Sequence, residues 1–260
     1  MKRRGDLVVL HRYPYGETSW VLRAIGRDVG VVSLVAKGAR RPKSRFSGAL
    51  ETLSLSEVLW SSRPGAELGT AEGASLREGF PGVRADVLRC ATAAALCEFP
   101  LRFRPEGEGH ELWFDLLLAG LRWLESRPTF SAVDSAALTA RYAVRLAAEC
   151  GVGIDPLRCV RCRGKLGSAA LFAGDEGGFL CPDCAPGEPD PAAGALRLLA
   201  LGETPAASLD ELERAEAAAA AHLSARLDIP FRLSALDCLK ALRRGGAAEP
   251  RDDYLSPRGD

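Results

Sequence analysis

The chain has 260 residues, 47% of them hydrophobic and 26% charged, with a formal net charge of zero, the balance of an ordinary soluble globular protein. No stretch approaches the roughly 18 apolar residues of a membrane helix. The apolar run Leu7–Leu10 behind Lys2-Arg3-Arg4 is too short for a secretory core, so a cytoplasmic protein is expected. Eight cysteines in that compartment point to metal binding or buried thiols rather than disulfides. The neutral average hides an asymmetry: residues 1–48 hold eleven Lys/Arg against three Asp/Glu, a net +8, which leaves −8 for the remainder. A basic head on an acidic body suggests a polyanionic partner at one end. Because 29 of the 34 basic residues are Arg, only local density of cations is informative.

The first eighty residues read as β. Leu7–Tyr13 ends at Pro14-Tyr15-Gly16. Trp20–Ile25 and Val31–Lys37 follow, separated by Asp28-Val29-Gly30, and then Leu50–Trp60 and Glu67–Leu76, separated by Arg63-Pro64-Gly65. Five short strands with these turn signals suit a small closed barrel, with an OB fold leading. After Gly79-Phe80-Pro81 the period becomes helical, with helices expected over Leu88–Phe99 and Glu111–Leu124. Ser131 with Asp134, and Ser208 with Glu211, read as capping boxes that open two further helices. The second of these runs to Leu227 before Pro230 stops it, and Leu233–Leu242 is a last short helix. The expected organisation is therefore α+β. An OB domain occupies residues 1–80, a helical domain 81–244 with a Gly-, Pro- and Cys-rich module inserted at about 155–190, and a disordered tail 245–260.

Cys159-x-x-Cys162, then eighteen residues, then Cys181-x-x-Cys184 is the most specific pattern in the chain. Each C-x-x-C turn puts two thiolates on one side of a metal, and two facing turns complete a tetrahedral shell of four sulfurs, so one structural Zn2+ is expected. A redox C-x-x-C would not need a second copy. A zinc deaminase would need H-x-E, which is absent. A closed four-cysteine shell leaves no position for a catalytic water. Cys90, Cys97, Cys150 and Cys238 sit in apolar helical settings and read as core.

Lys37-Gly38-Ala39-Arg40-Arg41-Pro42-Lys43-Ser44-Arg45 packs five cations into nine residues. Cations with a small hydroxyl donor on a pliable loop are what phosphate contacts require, although a solvated loop without a partner has the same composition. On an OB barrel the first reading gains weight. Phe46 and Tyr15 are the aromatic candidates for stacking against bases, since most other barrel aromatics belong to the core. Lys240, Arg243 and Arg244 form a smaller basic cluster, which either offsets a helix dipole or makes a second DNA contact. The chain holds no G-x-S-x-G, no P-loop and no paired carboxylates in a recognisable site, so no enzyme is expected.

These pieces resemble the RecO family. Tyr13-Pro14-Tyr15-Gly16-Glu17-Thr18 looks like its opening motif, and Lys37-Gly38-Ala39-Arg40-Arg41 with Lys43-Ser44-Arg45 resembles its signature loop. Gly151-Val152-Gly153-Ile154-Asp155-Pro156 leading into the first cysteine pair, then Phe172, Gly177-Gly178 and the second pair, continue the likeness from about residue 6 to residue 243. The resemblance implies a nucleoid-associated mediator of DNA repair and recombination. Such a protein binds single- and double-stranded DNA and anneals complementary strands. It acts with RecR on strands coated by single-stranded-DNA-binding protein (SSB), with RecF and RecA engaged indirectly. The alternatives left by the residues themselves are a general zinc-containing barrel acting on RNA or in transcription, and a metal-dependent hydrolase or deaminase.

Overall fold

The computed structural model describes residues 1–46, 48–63, 65–103, 110–228 and 234–245. The expected Pro230 stop, the Leu233 helix start, Pro64 of the fourth turn and all but Gly245 of the expected tail lie outside them. The chain forms two compact units, Met1–Pro128 and Thr129–Asp260.

The first unit is built on a closed five-stranded barrel: β1 (Lys2–Tyr15), β2 (Ser19–Gly26), β3 (Gly30–Ala36), β4 (Leu55–Ser61) and β5 (Leu68–Glu78). The strand order is β1-β2-β3-β5-β4, with β1 closing back on β4, so the expected OB architecture is present. Strand β1 serves two neighbours. Its first half pairs with β4 from Lys2↔Ser61 to Val8↔Leu55, and its second half pairs with β2 through Tyr15↔Ser19. Alternation does the rest: Leu7, Val9, Leu22, Ala24, Leu34, Ala36, Val58, Trp60 and Ala71 point inward and form one core. A bulge between Val9 and His11 breaks the β1–β2 register. Without it His11 would follow Val9 into the barrel. With it Arg12, opposite Leu22, takes the inward position at the barrel's end.

The opposite face of β1 and β2 is also dry, with Val8, Leu10, Val21 and Ile25 buried, because helices of the same unit cover it. These are α1 (Pro81–Ala85), α2 (Val87–Phe103) and α3 (His110–Ser126). The Glu125 carboxylate accepts from the Gly82 and Val83 N–H groups at 3.0 and 2.9 Å, satisfying donors at the start of α1. Two bidentate ion pairs, Arg27 to Asp115 and Arg122 to Glu78, tie α3 to the barrel. Helix α2 continues through Pro100 past the expected end at Phe99, and Phe103 packs against Trp113 at 5.5 Å between ring centroids. Burial of that ring outweighs the proline's missing donor.

Strand β4 starts at Leu55, not Leu50. Leu50 and Leu53 are buried, as their hydrophobicity demands, but from a turn: Leu53 has a left-handed φ of 68° that no strand accommodates. The Ser54 and Ser56 hydroxyls donate to the Ala49 carbonyl and hold the turn.

The second unit contains α4 (Ala132–Glu149), α5 (Pro191–Ala200), α6 (Leu209–Arg226) and α7 (Ser234–Arg243). Both expected capping boxes are formed, Ser131 with Asp134 and Ser208 with Glu211. Helices α4 and α6 pack together, and small buried residues on both, Ala136, Ala140, Ala143 and Ala147 on α4 and Ala215 and Ala219 on α6, suit a close approach. Helix α5 was not among the expected elements, although Asp190 caps it by accepting from Ala192 N–H at 3.0 Å and Pro191 opens it. Between α4 and α5 lies the cysteine module, whose only regular structure among the described residues is a hairpin of β6 (Leu171–Ala173) and β7 (Gly178–Leu180).

Candidate metal centre and nucleic-acid interface

The four cysteine sulfurs Cys159, Cys162, Cys181 and Cys184 all lie within 4.8 Å of one another. Cys162 Sγ and Cys181 Sγ are 3.6 Å apart. A tetrahedron with metal–thiolate bonds of about 2.3 Å has edges of about 3.8 Å, so the donor set fits a metal ion. Each pair sits on a tight knuckle. Arg163 N–H donates to Cys159 O at 2.9 Å, and the Cys184 and Ala185 N–H groups both donate to Cys181 O at 3.0 Å. Arg163 has a φ of 62°, which turns the chain after the first pair. Val160 N–H donates to Phe179 O at 2.8 Å and fastens that knuckle to β7.

The backbone also sets the charge state. N–H groups of Cys162, then Cys181 and Arg161, aim at the Cys159 sulfur and bring that thiol down to about 6. Cys184 is pushed up to about 12, first by hydrogen bonds with the Cys162 and Cys181 sulfurs and then by burial. The Cys159 thiolate therefore forms readily while the Cys184 thiol holds its proton. A dication held by all four sulfurs would favour their thiolate forms.

The module is held to the helices by polar contacts. Arg197 on α5 donates to three module carbonyls, Pro156 O at 2.7 Å, Leu166 O at 3.2 Å and Gly167 O at 2.5 Å. Arg226 on α6 donates to Glu176 O at 2.7 Å. It lies so close to Gly177 that a Cβ there would meet its guanidinium at 1.6 Å, and Gly177 also has a φ of 74°, so this hairpin turn needs glycine twice over. His222 Nε2–H donates to Val152 O at 2.6 Å while its ring meets Phe172 edge-on. Burial pushes its pKa down and keeps the imidazole neutral.

In the first unit, Lys37, Arg40, Arg41, Lys43 and Arg45 are carried on the β3–β4 connection, all five exposed. The loop is ordered by its own backbone: Arg41 N–H donates to Gly38 O and Ser44 N–H to Arg41 O, both at 3.1 Å, with Gly38 and Lys43 at positive φ. Arg40 N–H donates to Thr18 O at 2.9 Å and ties the loop to the β1–β2 turn. Ser44 Oγ accepts from Phe46 N–H at 3.3 Å. Elsewhere arginines are matched by acids, as in Arg4–Glu57, Arg122–Glu78 and Arg161–Glu176. Among the described residues none of these five cations has a carboxylate at ion-pair distance. The positive charge is therefore dense and without a close ion pair, although Arg45 lies near enough to Glu72 to help hold that carboxyl below the usual range.

Tyr15 is 57% exposed at the end of β1. Phe46, expected to offer a face for stacking, is instead 3% exposed and plugs the barrel core, because the turn after the basic segment folds inward with Ala49 and Leu50. Arg243 is a second correction. Its side chain is wholly buried, donating to both Glu216 oxygens, Ser135 Oγ and Thr139 Oγ1, so it joins α7 to α4 and α6 and cannot meet DNA. Arg244 is exposed but paired with Glu213 at 2.6 Å and Asp210 at 3.5 Å, and Lys240 is half-buried.

The structure adds residues that the sequence did not single out. Arg12, inward because of the bulge, pairs with Glu51 through both carboxylate oxygens and lies 4.5 Å over the Trp20 ring. A signal for this existed: a three-residue turn at 16–18 sets the hairpin register that places Arg12 opposite Leu22, diagonal to Trp20. No helix among the described residues is long and apolar enough to cross a membrane.

An OB-type barrel with an exposed basic loop, followed by a helical unit bearing a four-cysteine cluster able to hold a metal ion, defines a class of barrel proteins that includes many nucleic-acid binders. Comparison with known proteins narrows it. Residues 1–80 match the family model for the recombination protein O N terminal and residues 84–231 that for the recombination protein O C terminal. The chain is 34% identical over 217 residues to the DNA repair protein RecO of Anaeromyxobacter dehalogenans, covering 82% of this chain and 80% of that one. It is 31% identical over 186 residues to the DNA repair protein RecO of Syntrophotalea carbinolica, covering 70% and 69%. With that of Dehalococcoides mccartyi it shares 28% over 178 residues, 68% of each chain. The chain belongs to the RecO family of DNA repair and recombination proteins.

Proposed function

We propose that this chain is a non-catalytic recombination mediator. It binds single- and double-stranded DNA, anneals complementary strands, and acts with RecR on SSB-coated DNA to promote RecA loading, with RecF engaged indirectly. Residues 1–80 serve as the nucleic-acid-binding domain, and residues 81–244 as the helical body. The observation that carries the reading is the set of five exposed cations without an ion pair on the Lys37–Arg45 loop, in a chain whose family acts in DNA repair. Tyr15 at the adjoining turn offers an exposed ring to the same strand. Cys159, Cys162, Cys181 and Cys184 hold one structural Zn2+, which cross-links the two knuckles; with four protein ligands the shell is closed to water.

The mechanism is electrostatic. The loop grips phosphates of one strand, which frees its bases to meet a complement. If about four phosphates are neutralised, log K falls with log[salt] at a slope near −3 for single strands. Changing Lys37, Arg40, Arg41 and Lys43 together to Ala is expected to flatten that slope clearly. Fluorescence-anisotropy titrations at several salt concentrations measure it, and an unchanged slope moves the binding site elsewhere. For the mediator role, complementary strands coated with the cognate SSB are expected to anneal faster when this protein is added. DNA binding without acceleration would leave only a nucleic-acid-binding barrel.

A further inference from the structure

At the end of the barrel next to the basic loop is a cavity of 270 Å³, with Arg12, Trp20, Arg40, Phe46, Leu50 and Glu51 among its lining. It is smaller than the roughly 300 Å³ at which pockets for drug-sized ligands begin, and suits a single planar ring system. One wall is rigid. Arg12 is pinned by both Glu51 oxygens, with Leu50 O at 3.5 Å, and holds its guanidinium 4.5 Å from the centre of the Trp20 ring. The other occupant is loosely held. Arg40 places its guanidinium 5.3 Å over the same ring, exposed, with one side-chain hydrogen bond, to Gly16 O at 3.2 Å. A guanidinium is planar and delocalised and stacks on aromatic faces much as a base does.

We infer that this cavity is a seat for one unstacked nucleobase of a bound single strand, packed against Trp20 in the place that Arg40 now occupies. The inference rests on the proposed DNA binding and names the chemistry of that site beyond its phosphates. When the base enters, Arg40 swings out to the backbone phosphates held by its loop neighbours, so one residue exchanges a ring partner for an anion. The Arg12–Glu51 pair stays and fixes the floor. A base in a duplex is already paired and stacked, and extruding it is unfavourable. The seat therefore selects single strands, whereas the loop alone does not.

Photocrosslinking tests this with the full-length wild-type protein. A single-stranded oligonucleotide carrying 5-iododeoxyuridine is bound at low salt and irradiated, and the adducts are mapped by peptide mass spectrometry. The expected result is an adduct at Trp20 with the single strand and little with the matched duplex. In parallel, Trp20→Leu is expected to lower single-strand affinity about tenfold, the scale of one base–aromatic stack, with duplex affinity unchanged. Salt-sensitive binding of the strand with all adducts away from Trp20 overturns the seat but leaves the DNA-binding reading standing. If the wild-type protein binds no strand at all, the DNA-binding reading falls, and the seat with it.

Discussion

A Cys181→Ser variant is expected to lose the proposed zinc and about 4 kcal/mol of stability in the second unit, seen as a melting temperature lower by roughly 15 °C. Cys181 is buried, its sulfur lies 3.6 Å from that of Cys162, and its carbonyl accepts from both Cys184 and Ala185, so it anchors the second knuckle. The free energy of a structural zinc site is about 10–16 kcal/mol, but only part of it reaches the helices. Residues 155–190 can unravel while α4 still packs against α6. What the helices lose is the docking surface of Arg197 and Arg226, whose carbonyl partners belong to the module. Metal content by mass spectrometry and a thermal melt, with and without chelator, check the expectation. Full zinc occupancy with an unchanged melting temperature would remove the metal from the account of stability.

The second large effect lies in the buried ion cluster. Arg243→Ala is expected to cost about 3–5 kcal/mol, because it leaves Glu216, itself 1% exposed, charged and unpaired among helices. Thr139 and Ser135 lose a donor at the same time. The double variant Arg243→Met with Glu216→Leu removes both charges and is expected to recover most of the loss, since an apolar pair of similar volume carries no desolvation penalty. Urea denaturation reads both, the single variant shifting the midpoint by about 1 M or more. If the double variant is as unstable as the single one, packing around the arginine stem is the cause, not the unpaired carboxylate.

Local chemistry was readable in the sequence, and partnerships across long separations were not. The capping boxes at Ser131 and Ser208 and the cysteine knuckles declare themselves within four residues, and all are present. The five-stranded barrel followed from turn residues and alternation. The Asp190-Pro191 start of α5 carried the same kind of local signal but was masked by the Gly- and Pro-rich composition before it. Phe46 beside five cations looked like a stacking face, yet it belongs to the core, because burial is decided by the fold of 46–54 and not by adjacent charges. Arg243 looked like surface charge for a comparable reason: its acid Glu216 is 27 residues away and Ser135 is 108 away. That the Lys37–Arg45 cations lack ion pairs likewise emerged only from the pattern of pairs in the folded chain.

Strand β1 pairs with β2 across a three-residue turn but reaches β4 only through partners such as Lys2↔Ser61. The β1-β2-β3 meander is made of near neighbours in the chain, whereas the final closure joins segments more than forty residues apart. Such non-local contacts form late, after the entropy of a long loop has been overcome. The cations of residues 37–45 lie inside that loop, and the turn behind them is fixed only when Phe46, Leu50 and Leu53 enter the closed core. On the proposed reading, the turns of the basic segment can form with the meander, since Arg40 N–H reaches back only to Thr18, whereas its far end at Phe46 is seated only when the barrel core closes. A chain that has made only its meander would carry the charges on a loop anchored at one end.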